Sequence, residues 1–456
     1  MKKLLLLPIL LSYVICGFSQ APTLALDKVL IPESQMGQPW GMSFISADQL
    51  LFTEKSGKLF KYVISTDTKT QISGLPSIAV VGQGGLLDVQ IHPDFATNNY
   101  VYLAYSISGN GGYTLAIGRG VLSGNQLTNF TEIFRALPFR SGTNHFGSRI
   151  TFDSDTHIYF PSSDTQEQDN AQLLSNHSGK IIRLNDDGTV PSDNPFVSMG
   201  NAEPEIFSYG HRNIQGLVFN SETDKIYAHE HGPQGGDELN VIESGNNYGW
   251  PEITFGVNYG GGIITEDTAK EGMEQPIRYW VPSIAPCGMA IVPLENQNEG
   301  EMNFILGALA GKQIQWVKIN DDKHVQTYSF MQNYARFRDV EVSPDGKLYA
   351  LTESPNRLIL LETNQVVTGT NGSVINNGNT SVYPNPTKDF IQIQTQEAAD
   401  VAIYSSRGEL IRTVSNKAIT YATGEMRIDI SDLKAGMYLI ELKSESATKM
   451  VRCHKL

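Results

Sequence analysis

The stretch "FRDVEVSPDGKLYALTE", residues 337–353, has the pattern of a β-hairpin. A run of alternating apolar and polar residues leads into Ser-Pro-Asp-Gly, a turn sequence, and a second run rich in aromatic and aliphatic residues follows. The same unit, in looser form, begins at five other positions: Trp40, Gly85, Ser148, Gln215 and Gly288. Helical periodicity is nearly absent between residues 25 and 362, so the repeated unit is built from strands.

Six units of this kind predict an all-β fold, a six-bladed β-propeller. A single blade leaves both faces of its sheet uncovered, and neighbouring blades in a closed ring cover them. A β-sandwich or an irregular barrel is the alternative, but neither explains a unit that recurs. The propeller is therefore expected to occupy residues 21–362.

The composition is that of a globular protein with an acidic surface. Of the 456 residues, 40% are hydrophobic and 18% are charged, and the formal net charge is −14. This balance lacks the basic footprint that nucleic acid binding needs, so no nucleic acid partner is expected. The excess of carboxylates indicates a soluble, secreted surface, and a second interpretation is that some carboxylates hold calcium.

The N-terminus, residues 1–20, has the features of a secretory signal peptide. A lysine pair precedes an apolar run, and a small residue, Ser19, comes just before Gln20. No later apolar run is long enough to cross a bilayer, so no membrane span is expected once the signal is removed. Beyond the signal the cysteines are Cys287 and Cys453, too few and too far apart for a disulfide framework.

The C-terminal part of the chain reads as a linker and a second domain. Residues 363–381 are rich in Asn, Gly, Thr and Ser, as linkers are. Residues 382–456 show alternating apolar residues and turn signals, which predict a small, sandwich-like β domain. This domain resembles the type A sorting domain of type IX secretion, and the motifs "YPNP" and "GMYLIEL…KMVR" carry the likeness. The resemblance implies export by the type IX machinery to the medium or the cell surface; a carbohydrate-binding or adhesive β-sandwich is the alternative.

Polar clusters fall at the starts of the repeated units and in the loops beside them. They are "GQGGLLDVQIHPDF" (82–95), "TNHFGSRITFD" (143–153), "YGHRNIQG…HEHGPQGGDELN…NYGWP" (209–251) and "ARFRDVEVSPDG" (335–346). Propellers carry function on the loops around one end of the central channel, so these clusters are expected to meet there.

The same clusters identify a resemblance. "GLLDVQIHPDF", "GHRNIQGLVF", "EHGPQGGDELN", "NYGWP" and "SIAPCGMA" resemble, in order, the signature segments of the soluble glucose/sorbosone dehydrogenases. These enzymes are aldose dehydrogenases that depend on pyrroloquinoline quinone (PQQ). The resemblance covers roughly residues 30–362. It implies a six-bladed propeller, in agreement with the repeat count.

The resemblance implies a general base and its partner. His145, in "NHFGSR", matches the family's base, and a neutral imidazole suits removal of a hydroxyl proton while hydride leaves the same carbon. Asp164, in "PSSDTQ", matches the carboxylate that orients this base and favours the imidazolium. Taken alone, each residue also fits a purely structural role, as a turn histidine and a turn aspartate.

Further positions match cofactor-contacting residues of the family: Gln83, Arg212, Asn213, Arg336 and Arg338. Arg212 is also a catalytic candidate, because a guanidinium can stabilise negative charge that grows on the quinone oxygen. Arg336 and Arg338 are two residues apart, so in a strand they point the same way, and their planar forks suit carboxylates. The alternative for these two arginines is a pair of surface salt bridges.

The resemblance also implies calcium. Gly232 and Pro233 match positions whose backbone carbonyls bind the calcium ion that sits on PQQ. Glu238, by its side chain, and Tyr248, by its backbone oxygen, match ligands of a second calcium ion found in some members; a solvated acidic loop is the alternative. One departure from the family is Ala310, in "GALAGKQ", where the glucose-specific branch has a cofactor-binding lysine.

The function that follows is PQQ- and calcium-dependent oxidation of an aldose, from the C1 hydroxyl to the lactone, with electrons passed to an external acceptor. A non-catalytic propeller that binds glycans or proteins and a calcium-dependent lactonase-type hydrolase are the alternatives. A lactonase needs no cluster of arginines, and a binding module needs no base, so both are less favoured. No GxGxxG motif opens a helix, which disfavours nicotinamide and flavin cofactors.

Overall fold

The structure, a computed structural model, describes residues 21–295 and 297–368 and seven segments of the C-terminal region. Those segments are 381–383, 390–394, 400–405, 410–414, 425–434, 436–443 and 448–455. The predicted signal peptide (1–20) and residues 369–380 of the predicted linker lie outside the described residues.

The described residues up to 368 form six antiparallel four-stranded sheets, which we call blades one to six. The first strand of the chain, β1 (Leu24–Ile31), belongs to blade six. Blade one contains β2 (Pro39–Ser46), β3 (Gln49–Glu54), β4 (Lys58–Val63) and β5 (Thr68–Ile72). Blade two contains β6 (Leu86–Ile91), β7 (Tyr100–Gly109), β8 (Gly112–Ser123) and β9 (Gln126–Arg135). Blade three contains β10 (Thr151–Phe152), β11 (Ile158–Ser162), β12 (Lys180–Leu184) and β13 (Ile206–Tyr209). Blade four contains β14 (Ile214–Asn220), β15 (Lys225–Glu230), β16 (Asp237–Ile242) and β17 (Arg278–Trp280). Blade five contains β18 (Pro286–Ile291), β19 (Glu301–Ala308), β20 (Gln313–Asn320) and β21 (Lys323–Phe330). Blade six contains β22 (Arg336–Val342), β23 (Leu348–Glu353) and β24 (Arg357–Thr363) together with β1.

Helices are short in this part of the chain. An α-helix spans Phe95–Asn98, and 3₁₀ turns span Glu33–Gln35 and Gln168–Gln172. No described helix is long and apolar enough to cross a membrane.

The six-bladed propeller predicted from the repeats is confirmed. Each predicted unit begins within three residues of the first strand of a blade. The turn that links β22 to β23 shows why the sequence pattern was informative: Gly346 has φ +81°, a left-handed conformation that favours glycine, and its N–H donates to the carbonyl of Ser343 at 2.9 Å.

The N-terminal strand closes the ring. Strand β1 pairs antiparallel with β24, from Leu24 opposite Thr363 to Ile31 opposite Leu358. The last blade therefore contains the first and the last described strands of the propeller, and their pairing fastens the two ends of the ring together.

Apolar side chains fill the spaces between neighbouring blades. Each of the six propeller clusters combines residues of adjacent blades, as in the cluster of Tyr62, Phe52 and Leu351 between blades one and six. A blade on its own would expose these side chains, so burial between blades is the main stabilising contribution.

A buried arginine joins the inner strands. Arg149, just before β10, bonds Asp88 of β6 at 3.2 Å and lies 3.1 Å from Asp339 of β22. Its other nitrogens donate to the carbonyls of Gln215 at 3.0 Å and Arg338 at 2.8 Å. The guanidinium thus holds the first strands of several blades around the channel, and sequence reasoning did not single it out.

The described C-terminal residues form two further sheets. One contains β25 Ser381–Tyr383, β26 Phe390–Gln394 and β29 Glu425–Asp429, and the other contains β27 Asp400–Ser405, β28 Leu410–Val414, β30 Gly436–Lys443 and β31 Thr448–Lys455. Ile391 and Ile428 of the first sheet share one apolar cluster with Val401 and Ile440 of the second. This arrangement confirms the small β-sandwich expected at the C-terminal end.

Candidate active site

A pocket opens at the end of the ring where the first strand of each blade begins and the second strand ends. Its volume is about 290 Å³. The lining residues are Gln38, Trp40, Lys55, Gln83, Asn213, Gln215, His231, Ala285, Leu309, Arg336, Arg338 and Glu353. Four of the sequence candidates, Gln83, Asn213, Arg336 and Arg338, therefore meet in one place, although they come from blades two, four and six.

In blade three, His145 and Asp164 lie at this same end of the ring. His145 comes before the first strand, β10, and Asp164 comes after the second strand, β11. Nδ1 of His145 lies 2.8 Å from Oδ1 of Asp164, and the two residues are 8% and 1% exposed. Gln83 ties this pair to the pocket, because its side-chain oxygen accepts a hydrogen bond from the backbone N–H of His145 at 2.9 Å. The base and orienting carboxylate predicted from the sequence are thus in direct contact.

The geometry fixes the tautomer of His145. A carboxylate accepts hydrogen bonds, so Nδ1 of the neutral ring carries the hydrogen and Nε2 keeps its lone pair. Among the described residues, no hydrogen bond is made by this Nε2. An imidazole held in this way can take a proton from a substrate hydroxyl.

The carboxylate of Asp164 is itself held by a residue that sequence reasoning missed. The indole N–H of Trp250 donates to Oδ2 at 2.9 Å, and the N–H of Gln166 donates to Oδ1 at 2.9 Å. Trp250 is the tryptophan of "NYGWP", a segment that carried the family resemblance without a role for its tryptophan. The backbone N–H of Asp164 also donates to the carbonyl of Arg212 at 2.9 Å, which links blade three to blade four.

The loop that presents His145 is conformationally strained. His145 and Ser148 have φ values of +56° and +92°, a region that non-glycine residues rarely adopt. The hydroxyl of Ser148 is also buried without a hydrogen-bond partner among the described residues. Such strain persists where the surrounding structure fixes a functional loop.

Arg212 points at the loop predicted to bind calcium. Its Nη1 donates to the carbonyls of His231 at 2.9 Å and Gly232 at 2.7 Å, and its guanidinium carbon lies 5.3 Å from the Trp250 ring centre. Its Nε is buried and has no partner among the described residues. An N–H left without an acceptor in a buried site is a donor available to a ligand.

Arg336 and Arg338 reach the same carboxylate, although the strand register shifts between Phe337 and Asp339. Both reach Glu353, at 3.5 Å and 2.6 Å. Arg338 is 6% exposed and stacks on the Trp40 ring at 4.1 Å, so the alternative of a surface salt bridge is wrong for this residue. Arg336 remains partly exposed at the rim.

The pocket is basic in a chain that is acidic. Lys55, Arg336 and Arg338 line it against one carboxylate, Glu353, which leaves an excess of two positive charges. The net charge of the chain is −14, so this excess is a local feature. Because PQQ carries three carboxylates, the pocket and the unpartnered Nε of Arg212 suit that cofactor in charge and donor chemistry.

The predicted calcium loop offers backbone oxygens, but one of them is already engaged. The Gly232 carbonyl accepts the Arg212 hydrogen bond described above, and Asp237 is not a free ligand. Its carboxylate accepts from the backbone N–H groups of Gly232, Ile284 and Ala285 and thereby fixes two loops of the pocket. Calcium bound to the carbonyls of Gly232 and Pro233 would lie beside the positive charge of Arg212. Its binding there therefore requires an anion that offsets the charges of both the calcium ion and the guanidinium.

Glu238, predicted to bind a second calcium ion, lies on the third strand of blade four, β16. Glu238 is directly opposite Glu230 on the neighbouring strand. Burial, with Glu230 adding to it, raises the pKa of Glu238 to about 8. The side-chain oxygen of Asn240 is buried without a partner among the described residues. Two facing carboxylates and a spare amide oxygen are the donor types calcium prefers.

Tyr248, the other predicted ligand of that ion, is held firmly. Its hydroxyl donates to the carbonyl of Val241 at 2.6 Å, and its ring stacks on His211 at 4.6 Å. Its backbone N–H donates to the carbonyl of Tyr209 at 2.8 Å. The side chain thus serves packing, which leaves its backbone oxygen for the role predicted from the resemblance.

A cluster of His177, Glu203 and Glu205 has metal-ligand spacing within the described residues, but its chemistry disfavours a metal. Nδ1 of His177 accepts the backbone N–H of Leu137 at 2.9 Å. The hydrogen of the neutral ring must then lie on Nε2, the atom that faces the two carboxylates. We therefore assign no metal to this cluster.

Replacing Glu238 with Gln is expected to remove most of the calcium-dependent stabilisation of the PQQ-free protein. A ligand that binds only the folded state at 100 times its Kd adds about 2.7 kcal/mol. The measurement is the melting temperature with EDTA and with excess calcium. Glu252→Gln, which changes an exposed acid of the same blade paired with Lys270, is the matched control. An E238Q protein that gains as much from calcium as the wild type would show that the ion binds elsewhere.

The fold and the site define a class: six-bladed β-propellers with a basic pocket and a carboxylate-oriented imidazole at one end of the ring. The chain belongs to the glucose/sorbosone dehydrogenase family, whose model matches residues 36–361. A second model, for a secretion system C-terminal sorting domain, matches residues 381–454.

Individual relatives agree with this assignment. The aldose sugar dehydrogenase YliI of Escherichia coli (strain K12) is 36% identical over 340 residues, which cover 73% of this chain and 92% of the relative. The apo structure of the soluble aldose sugar dehydrogenase of Escherichia coli is 34% identical with a TM-score of 0.68, covering 75% of this chain and 99% of that one. The PQQ-bound aldose sugar dehydrogenase of Streptomyces coelicolor is 25% identical with a TM-score of 0.62, again covering 75% and 99%.

Proposed function

We propose that this protein oxidises the C1 hydroxyl of aldose sugars to the lactone with PQQ and calcium, and that it passes the electrons to an external acceptor. The observation that carries the proposal is the His145–Asp164 pair, 2.8 Å apart and buried beside a pocket with excess positive charge. Family membership and a PQQ-bound structural relative support it.

The cofactors would be held by residues from several blades. Arg336 and Arg338 would bind PQQ carboxylates, with Gln83 and Asn213 as uncharged polar contacts, and the carbonyls of Gly232 and Pro233 would hold calcium. When both are bound, PQQ would supply the acceptor for the hydride, and calcium would act as a Lewis acid that polarises PQQ. Glu238 and Tyr248 would hold a second, structural calcium ion.

Side chains of the protein itself would accept the hydroxyl proton and stabilise the negative charge on the acceptor. Nε2 of His145 takes the hydroxyl proton, and Asp164 stabilises the imidazolium that results. Trp250 keeps Asp164 in place, so the ring cannot rotate away from the pocket. Arg212, buried beside Trp250, offers its free Nε–H to negative charge on the acceptor side. Burial of this set excludes water and strengthens each interaction.

We further propose that the chain divides into a propeller domain (21–362), a linker (363–381) and a sorting domain (382–456), after a signal peptide (1–20). The match to a secretion system sorting domain supports export through the type IX machinery to the cell surface or the medium. An oxidising site outside the cell would then require an external electron acceptor.

Reconstitution tests the function. The purified full chain is given PQQ and calcium chloride, then a panel of aldoses, and reduction of an artificial dye is followed together with lactone formation. We expect dye reduction that needs PQQ and an aldose and that stops with EDTA. A protein that binds glycans but reduces no dye would be a binding module, and one that consumes lactones would be a hydrolase.

A further inference from the structure

The pocket has a basic wall on blade one that the family resemblance does not explain. Lys55, which follows β3, lines the pocket with Arg338. Trp40, at the start of β2, lines the same wall and lies under the Arg338 guanidinium at 4.1 Å. The three side chains form a continuous surface contributed by blades one and six, and we call it the blade-one wall.

Lys55 has spare hydrogen-bonding capacity. Its ammonium has three hydrogens, and among the described residues it contacts a single acceptor, the carbonyl of Gly82. Glu353 is the acid of the pocket, and it pairs with Arg338 instead. Burial lowers the pKa of Lys55, and the nearby Arg338 lowers it further. An anion in the pocket would relieve both effects by stabilising the charged ammonium.

Trp40 offers a second unused donor. The residue is 5% exposed, and its indole N–H has no acceptor among the described residues. A buried N–H without a partner costs free energy that a ligand oxygen can recover. Trp40 and Lys55 therefore both have donor hydrogens that no described residue accepts.

Blade five, in contrast, contributes no cation to the pocket among the described residues. Its contributions to the lining, Ala285 and Leu309, are uncharged. Lys312, the lysine nearest to Leu309 in this sequence, is exposed and does not line the pocket. The positive charge at this end of the pocket therefore comes from blades one and six.

We propose that Lys55 is an anion-binding residue of the cofactor site, whose ammonium binds a PQQ carboxylate with the indole N–H of Trp40 as a second donor. This proposal rests on the proposed function. It assigns this cation to blade one, beside Arg338 of blade six in the pocket lining.

Calorimetric titration of PQQ into the full-length protein with calcium, without sugar, tests the proposal. We expect Lys55→Met to raise the Kd for PQQ about tenfold or more, since a charge-assisted hydrogen bond is lost. Lys55→Arg should stay within about threefold of the wild type, because the charge is retained. Trp40→Phe, which keeps the ring under Arg338, should weaken binding by a smaller factor. Lys58→Met, an exposed lysine three residues on, is the matched control and should change nothing.

Salt separates anion binding from loop support. If Lys55 binds a carboxylate, the difference between K55M and wild type should shrink at about 0.5 M NaCl. A K55M protein that binds PQQ like the wild type would overturn the proposal and leave the proposed function standing. The proposal would also be overturned if K55M lost PQQ affinity to the same extent at high salt and Lys55→Arg did not restore it. That result would mean that Lys55 supports the loop at Gly82 and does not bind the anion. A wild-type protein that binds no PQQ would overturn both proposals.

Discussion

Replacing His145 with Gln is expected to lower kcat by roughly 100- to 10,000-fold, because the group proposed to take the hydroxyl proton is removed. Gln is close in size and can still bond Asp164, so the buried pair should not collapse. Affinity for PQQ should change little, since His145 is not one of the residues that line the pocket. The measurement is kcat with saturating PQQ and calcium, together with the Kd for PQQ.

The matched control for this prediction is His324→Gln. His324 lies on β21 of blade five, bonded to Thr327 at 2.8 Å and outside the pocket. Its replacement should leave kcat unchanged. An H145Q enzyme with wild-type kcat would remove His145 from the chemistry. An H145Q protein that no longer binds PQQ would assign His145 to the cofactor rather than to proton transfer.

Replacing Arg149 with Met is expected to destabilise the propeller by about 3–5 kcal/mol, the cost of breaking a buried ion network from one side. Asp88 and Asp339 would remain buried without their shared counter-charge, and the carbonyls of Gln215 and Arg338 would each lose a donor. Thermal unfolding should shift down by at least about 5 °C. The measurement is the melting temperature of the full chain at several pH values.

The pH dependence has a definite sign. Burial, offset in part by Arg149, raises the pKa of Asp339 to about 7. An acid whose pKa is raised on folding contributes stability below its unfolded pKa and loses that contribution as the pH rises through its folded pKa. Without Arg149 the pKa of Asp339 should rise further, so the deficit of R149M should be larger at pH 8 than at pH 5.

Two comparisons make this prediction specific. Arg135→Met removes an exposed arginine paired with Glu132, and a surface pair of this kind contributes at most about 1 kcal/mol. Adding Asp88→Asn and Asp339→Asn to R149M should restore part of the lost stability at pH 8, because the unpaired charges are gone. An R149M protein as stable as the wild type would show that the network does not hold the ring together.

The repeated units made the architecture predictable from the sequence. Each blade begins with an apolar, alternating strand, and each such strand is followed by a turn with its own chemistry, as at Gly346. The positions of His145, Asp164 and Arg338 followed from motifs that hold several specific residues in fixed order. Strand alternation predicted that Arg336 and Arg338 point the same way. Both do reach Glu353, but the register shifts between Phe337 and Asp339, which a regular strand pattern does not include.

Other parts of the site depend on contacts between segments far apart in the chain. Trp250 bonds Asp164 across 86 residues, and Arg338 lies over Trp40 across almost the whole propeller. No local pattern encodes such pairs. One usable feature was present: Lys55, Asp164 and Glu353 all fall at or just after the end of a second strand, so superposing the six repeats would have placed Lys55 beside the pocket.

The contact between Arg212 and the Gly232 carbonyl also could not be predicted from the sequence. The carbonyl predicted to bind calcium is engaged by Arg212, because the ring brings blade four's first strand and the loop after its second strand together. Whether a backbone oxygen is free depends on side-chain rotamers, and residue types alone do not determine those.

The most direct test of the central claim is a crystal structure of the protein grown with PQQ, calcium and an aldose. We expect PQQ in the pocket against Arg338 and Lys55, and Nε2 of His145 within hydrogen-bond reach of the sugar's C1 hydroxyl. PQQ bound outside this pocket, or a sugar placed with its C1 hydroxyl away from His145, would contradict the claim.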